Sequence, residues 1–336
     1  MSVPPHLAPA ARPPAPPGAA PPRRAGRGSS PPDPAAAART TRAGVAYAAA
    51  AFLWWGLAPV YWKAVGSVPP ENMIAWRVLF ALAVLGGLFA LRPGGLAAGR
   101  RQLGAAFGAP RTRRTLALSA ALLAVNWYTY IWAMGAERVL EASLGYYVNP
   151  LVNVLLGIVF LGERLRRPQG IAVVLAAAGV AVLTAEVGRI PWVALVLAGT
   201  FGVYGLLRKT VDAGPEVGLA VETILLAPLA ALHLGVLASR GAAGGHPPLL
   251  WLLIAAAGLI TVAPLVWFAH GARRLTLATL GLLQYLAPTG QFLLAVLLYR
   301  EPFTAAHLAA FALIWTGLAV FTWDLRRRVA GRPAAA

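Results

Sequence analysis

Four charged side chains lie inside long apolar stretches of the chain: Lys63, Arg77, Glu141 and Glu222. A charge at the centre of a membrane helix costs about 2.5–3.5 kcal/mol on insertion scales, so such a residue is by default a candidate for function. Arg77 could bind an anionic group or Glu141. Glu222 could carry a coupling proton or cation, because a buried carboxyl group can be protonated close to neutral pH.

Two of these charges also have a simple structural explanation. Lys63 lies near the end of its stretch, where a long side chain can reach the interface. Glu141 begins its stretch, where an acidic residue stabilises the N-terminus of a helix. Arg77 and Glu222 are the stronger candidates, since each lies about 9 Å inside its stretch.

Two prolines, Pro150 and Pro288, interrupt apolar stretches in similar surroundings. Proline removes a backbone donor and clashes with the preceding turn, so it leaves carbonyl groups without partners. Lipid does not tolerate such a break, whereas protein or a water-filled cavity does. We therefore predict helix breaks at both prolines that line a binding cavity; the alternative is a packing kink. The polar neighbours included in this prediction are Asn149, Asn153, Gln284 and Gln291.

Aromatic residues form a further group of candidates. Trp127, Tyr130 and Tyr147 lie beside Asn126 and Asn149, and their rings could stack on a flat or cationic solute. The alternative for these rings is ordinary packing. Other aromatic residues are expected in the belts at the two membrane interfaces.

Several kinds of site are absent from the sequence. The chain has no cysteine, which excludes disulfides, thiolate chemistry and cysteine-bound metals. It contains no H-E-x-x-H, G-x-S-x-G, P-loop or nucleotide-binding glycine motif, and His233 and His270 are far apart. We predict no metal site, no cofactor and no enzymatic activity, so transport energy would come from an ion gradient or the solute gradient.

The composition indicates a membrane protein. The chain is 59% hydrophobic and 12% charged, whereas a soluble domain has about 25% charged residues. The net charge of +18 does not indicate nucleic-acid binding, because the arginines form short clusters between apolar runs rather than one basic face. The predicted environment is the lipid bilayer.

Ten apolar runs are long enough to cross a hydrocarbon core of about 30 Å. Residues 1–43 are rich in Pro, Ala, Gly and Arg and are expected to form a disordered tail, and 325–336 form a short basic tail. The predicted fold is an all-α polytopic membrane protein with ten transmembrane helices. The runs are 44–64, 73–91, 114–135, 142–162, 168–186, 190–207, 216–238, 248–270, 276–298 and 304–324.

The basic residues predict the orientation. Lys and Arg concentrate in the two tails and in every second connection, whereas the other connections hold only Arg138, Arg189, Arg240 and Arg300. By the positive-inside rule, both termini are cytoplasmic and the protein is a multi-pass protein of the cell membrane.

The chain contains an internal repeat. NPLVNVLLGIVFLGE (149–163) corresponds to APTGQFLLAVLLYRE (287–301) at an offset of 138, and the same offset pairs Gly179 with Gly317. The halves are 44–186 and 187–324, with five spans each. Because five is odd, the second half is inverted relative to the first, which is the pattern of alternating-access transporters.

An offset of 145 aligns the second spans of the two halves and pairs Arg77 with Glu222. Inversion places the two charges near opposite surfaces, about 12 Å apart in depth. We therefore predict separate roles rather than a salt bridge between them.

The segments LEASLGYYVNPLVNVLLGIVFLGER (140–164), NWYTYIWA (126–133) and TLGLLQYLAPT (279–289) resemble the RarD-type permeases of the EamA family, in the drug/metabolite transporter superfamily. The resemblance covers nearly all of residues 44–324. It implies a ten-helix carrier of two inverted five-helix repeats in the cytoplasmic membrane, with a small organic solute as its cargo. The departures are the long N-terminal tail and Arg300, which occupies the position of Gly162.

These observations predict a secondary transporter that moves a small metabolite or drug-like solute by alternating access. The alternatives are a non-transporting membrane receptor or assembly protein and, with less support, an intramembrane enzyme. A coupling proton or cation is one open partner, and a second copy of the chain in a homodimer is another.

Overall fold

The computed structural model describes residues 34–136, 138–188, 191–241, 244–298, 300 and 304–329, and this part of the chain is helical with short connections. A π-helical turn, Leu294–Leu298, follows the eleventh helix. The helices are α1 (Pro34–Ala64), α2 (Pro70–Ala90), α3 (Gly95–Gly108), α4 (Pro110–Gly135), α5 (Val139–Leu161), α6 (Arg167–Val187), α7 (Trp192–Thr210), α8 (Pro215–Ser239), α9 (Pro248–Arg274), α10 (Leu277–Gln284), α11 (Leu286–Leu293) and α12 (Ala305–Val329).

Within the described residues, nine helical segments are long and apolar enough to cross a membrane, with α10, α11 and the π turn counted as one. This confirms the all-helical, multi-pass fold. The one predicted span not among these nine, 114–135, corresponds to α4, whose 26 residues extend about 39 Å. Its sequence is less apolar because Asn126, Thr129 and Tyr130 interrupt it.

Two boundaries differ from those expected. α1 begins at Pro34, so residues 34–43, which composition assigned to the tail, are helical. Proline suits the first turn of a helix, and the alanines that follow it are the strongest helix formers. α12 continues to Val329, whereas residues 1–33 and 330–336 lie outside the described part.

The connection 92–113 contains a helix that the apolar pattern did not predict. α3 buries Gly99 and Ala106 and packs against α2 and α8. A Cβ at Gly99 would lie 3.0 Å from the ring of Phe89, so the small residue lets α3 lie close to α2. The segment is too short and too polar to span the bilayer.

The packing of the helices is reciprocal between the two halves. α1, α2, α4, α5 and α6 of the first half correspond to α7, α8, α9, α10–α11 and α12 of the second. The first helix of each half packs on the third and fourth helices of the other half. The second helix of each half packs on the third helix of the other half. Three corresponding pairs also pack directly on each other: α2 with α8, α5 with α10, and α6 with α12.

The contact between α6 and α12 shows this reciprocity at the level of single atoms. A Cβ at Gly179 would lie 2.7 Å from the carbonyl oxygen of Ala310, and one at Gly317 would lie 2.8 Å from that of Ala172. Each glycine corresponds to the other at the offset of 138, and so do the two alanines. The repeat found in the sequence is therefore a structural pseudo-symmetry.

Replacing Gly179 by alanine is expected to lower the free energy of unfolding by about 1–3 kcal/mol, because the new methyl group overpacks the interface. The carbonyl of Ala310 belongs to a helix backbone and cannot yield cheaply. Thermal unfolding in detergent, followed by circular dichroism, measures the change. Gly170→Ala is the matched control, since nothing lies within 4 Å of a Cβ there. Equal melting curves for the two variants would contradict the assigned packing.

The prediction of matching helix breaks is wrong for the first half. α5 continues through Pro150, whereas the corresponding helix of the second half ends at Gln284 and restarts at Leu286. The segments 135–145 and 271–281, GAERVLEASLG and GARRLTLATLG, match at an offset of 136. At Pro150 and Pro288 the offset has risen from 136 to 138, so the second half carries two extra residues between the matched glycine and the proline. Two residues turn a helix by about 200°, which explains a break in this half alone.

Candidate functional site

The two ends of the helix bundle differ in chemistry. We call the end that carries the connections α2–α3, α5–α6, α7–α8 and α9–α10 the basic end, and the end with the connections α1–α2, α4–α5 and α8–α9 the far end. The charged contacts described below cluster at the basic end. Aromatic rings are concentrated at the far end.

At the basic end, α7 and α9 are joined by two cationic side chains. Lys209 donates from Nζ to the carbonyl oxygens of Ala272, at 3.2 Å, and Leu275. Arg273 donates from Nη1 to the carbonyl oxygens of Val211, at 3.3 Å, and Ala213. Cations at the C-terminal ends of helices also match the negative end of the helix dipole. These contacts close the basic end between α7 and α9.

A second group at the basic end joins α2, α8 and α9. Arg92 donates from Nη2 to Oε1 of Glu216 at 2.7 Å, and His270 Nε2 lies 3.0 Å from the same oxygen. Arg274 Nη1 lies 2.9 Å from His270 Nδ1. Arginine can only donate, so Nδ1 accepts and Nε2 carries the proton that it donates to Glu216. The ring of Tyr47 stacks on His270 at 4.7 Å, which adds α1 to the group.

Glu163, the last residue of the repeated segment in the first half, stabilises a helix of the second. Its Oε1 accepts from the backbone N–H of Leu277 at 2.7 Å, and its Oε2 from that of Ala278 at 3.0 Å. A carboxylate at a helix N-terminus satisfies unpaired N–H groups and matches the helix dipole. Nearby, Arg166 forms a salt bridge with Asp324 of α12.

Glu222 has a partner that the sequence did not predict. It is 1% exposed, and so is Arg208, whose Nη1 lies 3.4 Å from Glu222 Oε1. Ser119 donates to Oε1 at 2.6 Å, and the hydroxyl of Tyr204 donates to Oε2 at 3.5 Å. A Cβ at Gly218 would collide with Nη1 of Arg208. Glycine at this position therefore leaves room for the guanidinium beside α8.

The sequence held a signal for this pair. Arg208 directly follows the predicted span 190–207 and so falls in a basic connection, although it corresponds to Lys63 at the offset of 145 that also pairs Arg77 with Glu222. The second half therefore has a cation and an anion where the first half has two cations. Lys63 lies exposed in the last turn of α1.

Arg77 lies on the far-end side of α2 among aromatic rings. Its guanidinium carbon lies 3.9 Å from the centroid of the Trp127 ring and 5.6 Å from that of Trp62, and its charge acts on the hydroxyls of Tyr61 and Tyr146. Its buried Nε has no hydrogen-bond partner. No described carboxylate forms a salt bridge with it, and Glu222 pairs with Arg208 instead; separate roles for the two charges stay a prediction.

A small cavity lies between these two sites. It offers about 10 Å³ to the centre of a water-sized sphere, roughly the room that one water needs. Trp127 and Glu222 both line it, with Thr223 and Thr261. The rings around Arg77 and the buried ion pair are therefore neighbours across a space that is almost filled.

The predicted polar neighbours of the prolines join the two halves instead of lining an open cavity. Asn149 donates to the carbonyl oxygen of Ala198 at 2.9 Å, and Asn153 donates to Gln284 Oε1 at 2.8 Å and to Asn149 Oδ1 at 3.1 Å. Both asparagines and Gln284 are buried. Such hydrogen bonds hold membrane helices together, so this geometry favours an interface role over direct contact with a solute.

Two further amides extend this set. Asn126 of α4 donates to the carbonyl oxygen of Leu197 and to Thr200 Oγ1, both at 2.9 Å. Gln291 of α11 donates to the carbonyl oxygen of Trp55 at 3.1 Å. Each of these hydrogen bonds also crosses from one half to the other.

The tyrosines near the prolines also connect the halves. The hydroxyl of Tyr147 donates to the carbonyl oxygen of Pro288 at 3.5 Å, and that of Tyr285 donates to the carbonyl oxygen of Tyr147 at 3.2 Å. Tyr147 therefore packs at the break in the second half. The side chain of Glu141, in the first turn of α5, lies outside the described part.

The two ends differ in how tightly the helices meet. At the basic end α7 packs on α9, whereas their counterparts α1 and α4 share at most a marginal contact among the described residues. The counterparts of Lys209 and Ala272 are Ala64 and Ala136, so the cation that joins α7 to α9 is replaced by alanine. Tyr130 and Tyr146, which form a ring pair, are each 37% exposed. The seam between α7 and α9 is thus closed at the basic end, whereas the corresponding seam between α1 and α4 is looser at the far end.

Comparison with known proteins identifies relatives of the whole bundle. Residues 42–185 match the model of the EamA-like transporter family. The chain is 42% identical to Protein RarD of Escherichia coli K12 over 286 residues, which is 84% of this chain and 94% of that protein. It is also 42% identical over 285 residues to an uncharacterized transporter of Vibrio cholerae, which is 84% of this chain and 92% of that protein.

A further relative and a solved structure are also similar to this chain. Protein RarD of Streptomyces exfoliatus is 42% identical over 294 residues, covering 84% of this chain and 89% of that protein. A crystal structure of a protein chain with 24% identity superposes with a TM-score of 0.67 over 85% of this chain and 99% of that chain. At this level of identity the crystal structure supports the fold alone.

Proposed function

The chain belongs to the RarD-type group of the EamA-like transporter family, and on that premise we propose that it is a secondary transporter that moves a small organic solute by alternating access. The protein is a multi-pass membrane permease. The solute would bind near the middle of the bilayer, where the two inverted halves meet.

The observation that carries this proposal is the reciprocal packing of the halves. Gly179 contacts Ala310 as Gly317 contacts Ala172, so each half has a close structural counterpart in the other. If the two halves exchanged conformations, the bundle would open at the basic end and close at the far end. Inverted repeats of this kind allow one central site to face either side of the membrane in turn.

The residues divide into three roles in this proposal. Lys209, Arg273 and the group around Glu216 form the gate at the basic end. The amides and tyrosines that cross between the halves hold the axis about which the halves rock. Arg77, Trp62 and Trp127 face the solute, and Glu222 would be the group through which a coupling proton acts. We place both termini in the cytoplasm, because Lys and Arg concentrate at the basic end.

Sealed vesicles containing the purified protein test the proposal. Uptake should saturate with solute concentration, and solute loaded inside should accelerate the entry of labelled solute from outside. This trans-stimulation is expected of a site that faces the two sides alternately. Mass spectrometry of vesicle contents after incubation with a metabolite extract identifies solutes to label, and protein-free vesicles are the control. Uptake without saturation or trans-stimulation would contradict alternating access.

A further inference from the structure

Arg77 carries a charge for which the described protein provides no counter-charge. In the second half, the residues corresponding to Lys63 and Arg77 are Arg208 and Glu222, which neutralise each other at 3.4 Å. In the first half the same two positions are both cationic. An uncompensated charge within a membrane helix is costly, so its presence calls for a partner.

The geometry of the guanidinium restricts the chemistry of that partner. One face stacks on Trp127 at 3.9 Å, and the Trp62 ring lies 5.6 Å away, which fixes the plane of the group. The N–H donors point along the edge of that plane, and the buried Nε has no partner. A planar edge with paired donors matches the two oxygens of a carboxylate.

The surroundings indicate what the carboxylate is attached to. Tyr130 and Tyr146 form a ring pair with centroids 6.2 Å apart, both are more than a third exposed, and the hydroxyl of Tyr146 lies within reach of the charge of Arg77. These surfaces suit an apolar or aromatic body. A single arginine balances one negative charge, so a monoanion fits better than a dianion such as a phosphate ester.

From these contacts we infer that Arg77 and the aromatic rings around it bind the carboxylate of a small organic acid with an apolar or aromatic body. This inference deepens the proposed function and rests on it, since the bound acid would be the transported solute. Arg77 binds the carboxylate at its edge, while Trp127 holds the guanidinium in place. The rings of Tyr130 and Tyr146 contact the body of the acid.

Equilibrium binding to purified protein in lipid nanodiscs tests this inference without requiring transport. The probes are benzoate, indole-3-acetate and hexanoate, each paired with its neutral amide, and the readout is the concentration dependence of the melting temperature. At least one acid should stabilise the wild type saturably and more than its amide does. Arg77→Gln should weaken that binding by about ten- to a hundredfold, the range expected for a charge-assisted hydrogen bond.

The matched control is Arg138→Gln. Arg138 also lies near two tryptophan rings at the far end, 5.6 Å from those of Trp132 and Trp192, and its replacement should leave binding unchanged. Equal stabilisation by acids and amides, or acid binding that survives in Arg77→Gln, would overturn the inference. Acid binding that appears only in Glu141→Gln would also overturn it, because Glu141 would then be the partner of Arg77.

The vesicle experiment separates this inference from the proposed function. Saturable, trans-stimulated uptake of neutral solutes alone would overturn the carboxylate site and leave alternating access standing. Acid binding at Arg77 without uptake of any solute would support the site and contradict the transport proposal.

Discussion

Replacing Glu222 by glutamine is expected to lower the free energy of unfolding by about 3 kcal/mol, because removing one partner of a buried ion pair leaves an uncompensated charge. Arg208 and Glu222 are each 1% exposed, so bulk solvent does not reach the charge that is left behind. The guanidinium is also held by the carbonyl oxygen of Pro215 at 2.7 Å, which prevents it from turning towards solvent. Thermal or denaturant unfolding in detergent measures the loss.

A double variant and a surface control isolate the pair. Arg208→Gln together with Glu222→Gln removes both charges and should recover much of the stability lost in either single variant, as double-mutant cycles of coupled residues do. Glu71→Gln alters an exposed acid in the first turn of α2 and should change stability by less than about 0.5 kcal/mol. Additive losses in the double variant would contradict the assigned pair.

The same variant tests the proposed coupling role of Glu222. Glutamine keeps the shape of the side chain but cannot take up a proton. If a proton on Glu222 couples transport, the Glu222→Gln protein that is recovered folded should still exchange solute, while its uptake no longer depends on the pH gradient. An unchanged dependence on the pH gradient in this variant would leave the pair with Arg208 as a purely structural contact.

The repeat and most spans could be predicted from the sequence because they depend on local composition and on spacing. The offset of 138 that paired Gly179 with Gly317 corresponds to a real reciprocal contact. α3 was missed because it is short and polar and lies in a connection, where hydropathy gives no signal. The start of α1 at Pro34 was missed because alanine is a strong helix former but only weakly apolar.

Side-chain partners were harder to predict, because they depend on helices far apart in the chain. Asn149 and Gln284 looked like cavity residues beside prolines, but hydrogen bonds between the halves satisfy them. Arg208 looked like a loop charge because it directly follows the predicted span 190–207, whereas α7 continues to Thr210. Its correspondence with Lys63 was visible in the offset of 145, and only the structure shows that it turns inward to Glu222.

Locking the basic end is expected to abolish transport. In the structure, Lys209 of α7 contacts the backbone of Ala272 in α9, and the proposed cycle requires these two helices to separate. The chain has no cysteine, so the variant Lys209→Cys/Ala272→Cys carries only the introduced pair. Oxidation or a short thiol cross-linker should join the helices and stop uptake into vesicles, and a reductant should restore uptake after oxidation. Ala272→Cys alone, treated in the same way, is the control.

The corresponding positions at the far end complete the design. Ala64 and Ala136 are the counterparts of Lys209 and Ala272, and α1 and α4 share at most a marginal contact there among the described residues. The variant Ala64→Cys/Ala136→Cys should therefore cross-link only when the far end closes. Saturating solute that drives the cycle should increase the rate of this reaction.

The most direct measurement of alternating access combines the two pairs in one four-cysteine protein and follows both cross-links in the same molecules by mass spectrometry. We predict that each molecule forms one cross-link or the other, and that a lock at the basic end prevents the reaction between residues 64 and 136. Molecules that carry both cross-links at once, or uptake that continues in singly locked protein, would contradict the account.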